Sequence, residues 1–295
     1  MTRRLPRTLP RTLPHTYITR VSRFRRCFLG VQAALDVALR VGLKYSSADA
    51  TGSKHIIWRS GQYLILTTRD SNNCLLPIAV AIVRSEDKEA YRYFADQLKV
   101  WGADKYLNVP DAVIVTDRCK GLEELHRAME KANHLNCFKH IIPNCKRTAG
   151  VTKDSYAWAM QKAETEQQYK INLEAMRGFN ARAAEYLDAL VHDQTYFYAY
   201  NQKGVRTYGH KTNNVAEIVN GVHKKLRGEH PLWFLHGFAS WIGEKMQIRS
   251  DVMKDWIRSG HVLTPYATNE FMKQVYPTPC PTPCPTPCPA PCPTP

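Results

Sequence analysis

No stretch of this sequence approaches the roughly 18 uninterrupted apolar residues of a membrane span, and no signal-peptide core is present. A soluble, intracellular protein with no membrane partner is expected. Acidic residues are missing from the first 26 positions, which hold eight arginines (Arg3, Arg4, Arg7, Arg11, Arg20, Arg23, Arg25 and Arg26). The even cysteine number of a disulfide framework is lacking as well outside the terminal repeat. Five cysteines are scattered (Cys27, Cys74, Cys119, Cys137, Cys145) and four sit in a terminal repeat (Cys280, Cys284, Cys288, Cys292), which fits a reducing compartment. Proline is absent from Asn144 to His230, so nothing in that span breaks a helix.

What is present begins with positive charge. The formal net charge is +15, and eight of those charges belong to the acid-free leader. Basic proteins favour polyanions, because each neutralised phosphate releases counterions. Nucleic acid is the partner this balance suggests. Both ends are low-complexity. "LPRTLPRTLPHT" repeats every four residues, and "PTPCPTPCPTPCPAPCPTP" has proline at every second position. Such prolines remove donors and block helix, so residues 1–26 and 276–295 are expected to be extended or disordered. The leader's arginines fit a nuclear address or phosphate contacts better than a mitochondrial transit peptide, because its prolines would break the amphipathic helix. At 44% hydrophobic residues, the span 27–275 can build a core.

Within that span, "LKYSSAD" (43–49), "QYLILTT" (62–68) and "CLLPIAVAIV" (74–83) read as three successive strands, with a tight connection at "TRDSNN". Asp70 reads as a turn residue there. Pro77 predicts a bulge or an edge strand. Tyr91, Phe94, Leu98 and Trp101 follow at helical spacing, and "AVIVTD" (112–117) is a short apolar strand covered on both faces. "GLEELHRAMEKA" predicts a second helix and "LNCFKHII" (135–142) a fifth strand. An all-helical insertion is expected over about 146–210, where "TYFYAYN" reads as core. The segment 212–227 then forms an amphipathic helix with Val215, Ile218, Val219, Val222 and Leu226 inward. Glu217, Asn220, Gly221 and Lys224 fall on its other face. The order β-β-β-α-β-α-β fits an α/β fold with a ribonuclease-H-like mixed sheet, in which the first and fourth strands are neighbours. By that analogy Asp49 and Asp117, at the ends of those two strands, come side by side.

Three acids stand out: Asp49, Asp117 and Glu217. Each alone has a bland reading, as a strand end or a solvated helix face. Together they supply the oxygen ligands that a pair of Mg²⁺ or Mn²⁺ ions requires. "SADATGSKHIIWRSGQYLILTTRDSNNCLLPIAVAIV", "VIVTDRCKGLEEL", "NCFKHIIPN" and "TNNVAEIVN" resemble, in order and spacing, the blocks of Mutator-like element (MULE) transposases. The resemblance covers roughly residues 28–245. It implies a ribonuclease-H-like core with a helical insertion before the last catalytic helix. A DDE triad would fall on Asp49, Asp117 and Glu217, and the activity would be metal-dependent DNA cleavage and strand transfer in the nucleus. The implied partners are the element's terminal repeats, target DNA and further copies of the chain. Two departures are Ala50, where the family has glycine, and "EIVN" in place of "ESFN". The end repeats leave no room for the family's zinc-dependent DNA-binding module or zinc knuckle. A truncated copy is therefore expected, or alternatively a domesticated or decayed DNA-binding protein without turnover.

Cys137 and His140 match the family's C-x-x-H motif. Two ligands do not make a structural zinc site, which normally has four; Cys145, His134 or Cys119 are the candidates to complete one. The plainer expectation is a buried thiol and a hydrogen-bonded imidazole beside the site. His210, Lys211 and Lys224 are candidate DNA contacts.

Overall fold

The computed structural model describes residues 26–56, 58–210 and 214–275. The leader before Arg26, Lys211 and the repeat tail lie outside these residues. β1 (Cys27–Gly30) and α1 (Gln32–Val41) lead into a meander of β2 (Tyr45–Gly52), β3 (Gln62–Arg69) and β4 (Leu75–Val83). Next come α2 (Lys88–Val100), α3 (Asp104–Leu107), β5 (Val113–Thr116), α4 (Glu123–Ala128) and β6 (Asn133–Asn136). A wholly helical stretch follows: α5 (Phe138–Ala149), α6 (Asp154–Lys162), α7 (Glu166–Phe179), α8 (Ala181–Asp188), α9 (His192–Thr195) and α10 (Phe197–Gln202). The described chain ends with α11 (Asn214–Val222), α12 (Pro231–Arg258) and α13 (Pro265–Val275). Among the described residues no helix is long and apolar enough to cross a membrane.

The six strands form one mixed sheet in the order β1-β4-β3-β2-β5-β6. β1, β4, β3 and β2 pair antiparallel, while β2, β5 and β6 run parallel. The neighbour relation expected of the "LKYSSAD" and "AVIVTD" strands is therefore present. Pro77 sits at a bulge: Leu66 pairs with Ala79 and Thr67 with Pro77, so Ile78 is the extra residue.

Alternate residues of a strand face opposite sides, and both sides of this sheet are covered. On one, Phe28 meets Phe94 of α2 and Trp101 just past it, while the Thr68 hydroxyl lies 2.6 Å from that of Tyr106 in α3. α4 is tied to α2 by Glu124, which accepts from Arg92 at 3.0 Å and Arg127 at 2.9 Å. On the other side, Tyr63 stacks on Phe234 of α12 with ring centroids 3.9 Å apart. Over β5 and β6 that same side is closed by Tyr200 and Val205, packed with Tyr45, Val113, Val115 and Leu135. The helical stretch has its own core, built on Phe138, Ile141, Met160, Tyr169, Leu187, Tyr196 and Tyr198. The aromatic run at 195–201 is thus core, as expected.

Two elements differ from the sequence reading. The strand expected over 135–142 ends at Asn136, and "FKHII" opens α5 with Cys137 as its N-cap. Phe138, Ile141, Ile142 and Cys145 are all buried, at i, i+3, i+4 and i+7. A short apolar run does not distinguish strand from helix until its continuation is counted. The helix expected over 212–227 stops at Val222, and its inward face is not the apolar one. Val219, Asn220 and His223 are buried, whereas Ile218 and Val222 are exposed. The reason is what faces it: α11 lies over the Asp49 carboxylate within β2, so a polar flank is turned to the sheet.

Candidate metal-binding acid cluster

Parallel pairing places Ser47 opposite Val115. Two residues further, on the same side of the sheet, the chain reaches Asp49 in β2 and Asp117 just past β5. Neighbouring strands are about 4.8 Å apart, so the two carboxylates issue from adjacent strands, Asp49 from within β2 and Asp117 from just past β5. Asp117 is fixed at the start of its loop, where Oδ1 accepts from the Cys119 N–H at 3.1 Å. The loop presses close to α2. A Cβ at Gly121 would stand 2.5 Å from the Tyr91 ring and 2.9 Å from the Asp87 backbone, so glycine is needed there.

α11 closes the site from above. Asn220 donates through Nδ2 to Asp49 Oδ2 at 2.8 Å. Burial pushes the Asp49 carboxyl up from 3.8 to about 7, with the charges of Asp117, Glu217 and Glu86 raising it further and the Ala50 N–H partly offsetting them. All three expected acids therefore belong to one electrostatic cluster, together with a fourth. Glu86 was not singled out from sequence; it precedes α2 and accepts from the Tyr91 hydroxyl at 2.9 Å. Its signal in the sequence is faint, because "SED" reads first as the cap of α2, a role that Asp87 does fill. Asn220 was assigned to the outer face of its helix and in fact faces inward. Its Oδ1 is buried and has no hydrogen-bond partner among the described residues.

Glu217, in the first turn of α11, is a partly buried acid and not a solvated helix face. Its Oε2 accepts from Lys139 Nζ, and its Oε1 lies 3.8 Å from His140 Nε2. Cys137, His140 and Glu217 offer ligand atoms that all lie within 4.8 Å of one another. The residues expected to complete the C-x-x-H pair are engaged elsewhere. His134 stacks on His126 with centroids 4.1 Å apart and donates to the Met129 carbonyl at 2.8 Å. Cys145 is buried with its thiol 3.9 Å from the Ala183 carbonyl. Cys119 lies on the Glu86 side, within reach of that acid's charge. The third partner is Glu217, which spacing alone did not suggest. His140 is also not the fully hydrogen-bonded imidazole expected, since its Nδ1 is buried without a partner among the described residues.

Of the candidate DNA contacts, His210 is turned inward. Its Nε2–H donates to Asn73 Oδ1 at 3.0 Å, its ring packs on Tyr45, and burial lowers its pKa to about 4. A neutral, engaged imidazole brings no charge to a phosphate. Lys211 lies outside the described residues, and Lys224 is exposed just beyond α11. Asp70 is the turn residue it was taken for, accepting from the backbone N–H of Asn72 and Cys74 at 2.9 Å each; it also meets Arg249 of α12 at 3.3 Å. None of the five described cysteines is in a disulfide.

The donor set suits a hard divalent cation. It consists of the carboxylate oxygens of the buried Asp49 and its acidic neighbours; Mg²⁺ and Mn²⁺ take oxygen ligands of this kind. Such a cluster at the carboxyl ends of parallel strands is also where open α/β sheets place ligand sites. Residues 59–144 match the family model described as the MULE transposase domain. Over that stretch the chain is similar to the MULE transposase domain, which suggests a transposase-related function and the interaction with DNA that this implies. The match runs from the turn before β3 into α5. It includes Asp117, Cys137 and His140 but neither Asp49 nor Glu217, and it is narrower than the resemblance over 28–245. No curated protein matches the chain.

Proposed function

We propose that this chain carries a ribonuclease-H-like DDE core that cleaves and joins DNA strands, with Asp49, Asp117 and Glu217 holding Mg²⁺ or Mn²⁺. The observation that carries this reading is the burial of the Asp49 carboxyl, with the charges of Asp117 and Glu217 acting on it as well, beside the match to the transposase domain. Crowded acids are costly without a cation, and the cost is relieved where dications are held. The strand order β4-β3-β2-β5-β6, with helices between β6 and α11, supports the same fold assignment. On this reading residues 27–275 make up the core, with the helical stretch inserted at about 146–210.

The reaction is two in-line phosphoryl transfers: water opens a phosphodiester at the element end, and the freed 3′-hydroxyl attacks target DNA. Bound dications would supply positive charge to the attacking and leaving oxygens. The chain's own contribution is positioning. β2 holds Asp49 within the sheet and β5 presents Asp117 at its end, Asn220 orients the Asp49 carboxylate, and Lys139 restrains Glu217 until a cation or phosphate competes for it. Lys224 is available at the surface for the DNA backbone. The substrates are the terminal repeats and target DNA, the active form is a homo-oligomer, and the compartment is the nucleus.

The Lys139–Glu217 ion pair favours a second reading, a DNA-binding protein without turnover, because it already neutralises one acid. Incubating the full chain with terminal-repeat DNA and Mn²⁺ separates the two. Cleavage that disappears in Asp117→Asn supports the nuclease; DNA retained but uncut by both proteins supports the binder.

A further inference from the structure

The C-x-x-H pair is not absorbed by the acid cluster, and its chemistry differs from it. Cys137 caps the N-terminus of α5 and His140 stands in the first turn, so both side chains reach the same flank of the helix. Opposite them is Glu217, with the three ligand atoms mutually within 4.8 Å. Tetrahedral zinc, at about 2.3 Å from sulfur and 2.0–2.1 Å from nitrogen or oxygen, spaces its ligands by roughly 3.4–3.6 Å. Small side-chain adjustments close that difference; His140 Nε2 and Glu217 Oε1 are already 3.8 Å apart. The other ring nitrogen, His140 Nδ1, is buried without a partner among the described residues and faces away from Glu217. Nε2 is the ring nitrogen turned toward Glu217 and would be the ligand atom.

We infer that Cys137, His140 and Glu217 form a zinc site that shares Glu217 with the acid cluster, so that zinc held there withdraws the glutamate from Asp49 and Asp117. Thiolate and imidazole select zinc over Mg²⁺ or Mn²⁺, which prefer oxygen. Binding releases the Cys137 thiol proton to solvent, and three protein ligands leave the fourth position to water. Glu217 need not give up Lys139, because that contact uses Oε2 while Oε1 faces His140. The zinc site stands on geometry alone; only its inhibitory consequence rests on the nuclease reading.

The test uses the full chain with Cys280, Cys284, Cys288 and Cys292 changed to serine, so that the repeat thiols contribute nothing. Metal-stripped protein is titrated with Co²⁺. A thiolate-to-cobalt charge-transfer band, bleached by Zn²⁺, is expected. His140→Ala or Cys137→Ser should weaken cobalt binding by more than about tenfold, and Glu217→Gln should weaken it as well. Asp117→Asn should retain the band. His140 has a half-exposed side chain, so its variant carries the test if Cys137→Ser does not fold. Absence of the band, or its persistence in His140→Ala, overturns the site; its loss in Asp117→Asn moves the metal to the acids and also overturns it. Zinc should inhibit Mn²⁺-dependent cleavage, with half-inhibition in His140→Ala, measured against that variant's own zinc-free rate, needing more than about tenfold more zinc. Inhibition that is the same in both proteins overturns the sharing of Glu217. A band without any cleavage refutes the nuclease and leaves the zinc site standing, whereas cleavage without a band does the reverse.

Discussion

Replacing Asp49 by asparagine should make the metal-free protein more stable, although it removes a hydrogen-bonded residue of the core sheet. The side-chain amide keeps an oxygen to accept from Asn220 Nδ2, so the contact at 2.8 Å survives. What disappears is a charge that the fold disfavours. A rise from 3.8 to about 7, at about 1.4 kcal/mol for each tenfold change in proton affinity, sets an upper bound of roughly 4 kcal/mol. Asp49 keeps some contact with solvent and its acidic neighbours share the titration, so a gain of about 1–3 kcal/mol is the expectation. The sign follows from linkage. The folded pKa lies above the unfolded one, so the wild type carries no penalty below about pH 4 and loses stability as pH rises to about 7. Urea midpoints in EDTA should favour Asp49→Asn at pH 8, and the gap should close by pH 4. Mn²⁺ should raise the wild-type midpoint more than that of the variant, because a ligand bound only by the folded state stabilises it. A variant equal to or weaker than the wild type at pH 8 in EDTA would show that burial and the neighbouring acids do not disfavour the Asp49 carboxylate, and the metal reading would lose its basis.

Two further substitutions probe the frame around the cluster. Gly121→Ala should cost about 1–3 kcal/mol in urea denaturation, since its Cβ meets the Asp87 backbone at 2.9 Å as well as the Tyr91 ring; an unchanged midpoint would mean the Asp117 loop is not pressed against α2. Phe234→Ala should cost about 3–5 kcal/mol, because its ring is fully buried and stacked on Tyr63. A loss below 1 kcal/mol would mean that α12 is not anchored through this ring.

How far the sequence could be read depended on how many constraints acted on each residue. "QYLILTT" and "AVIVTD" announced strands because both faces of the sheet are covered, which leaves continuous apolar runs bounded by polar turns. Their neighbour relation needed fold analogy, since no periodicity encodes strand order. α5 was misread because Phe138–Ile142 satisfies strand and helix equally until Cys145 is included. α11 was misread for a subtler reason. Its apolar stripe was taken as the buried one, but the surface beneath it is Asp49, which favours Asn220 and leaves Ile218 and Val222 outside. Glu86 went unnoticed because an acid beside a helix start has an ordinary use.

The polar inner flank of α11 also explains why one glutamate can matter to two kinds of chemistry. A helix that buried only Val219 and its apolar neighbours would point Glu217 into solvent, as the sequence first suggested. Seating the helix on Asn220 and His223 instead rolls Glu217 toward the gap between the end of β2 and the start of α5. There it is close enough to raise the proton affinity of Asp49 while bonding Lys139 and approaching His140. The competition is set by donor type: oxygens on the strand side, sulfur and nitrogen on the helix side, and a single carboxylate between them. Hard cations should therefore draw Glu217 toward the aspartates and soft ones toward Cys137, with Asn220 common to both arrangements because its bond to Asp49 holds the helix down.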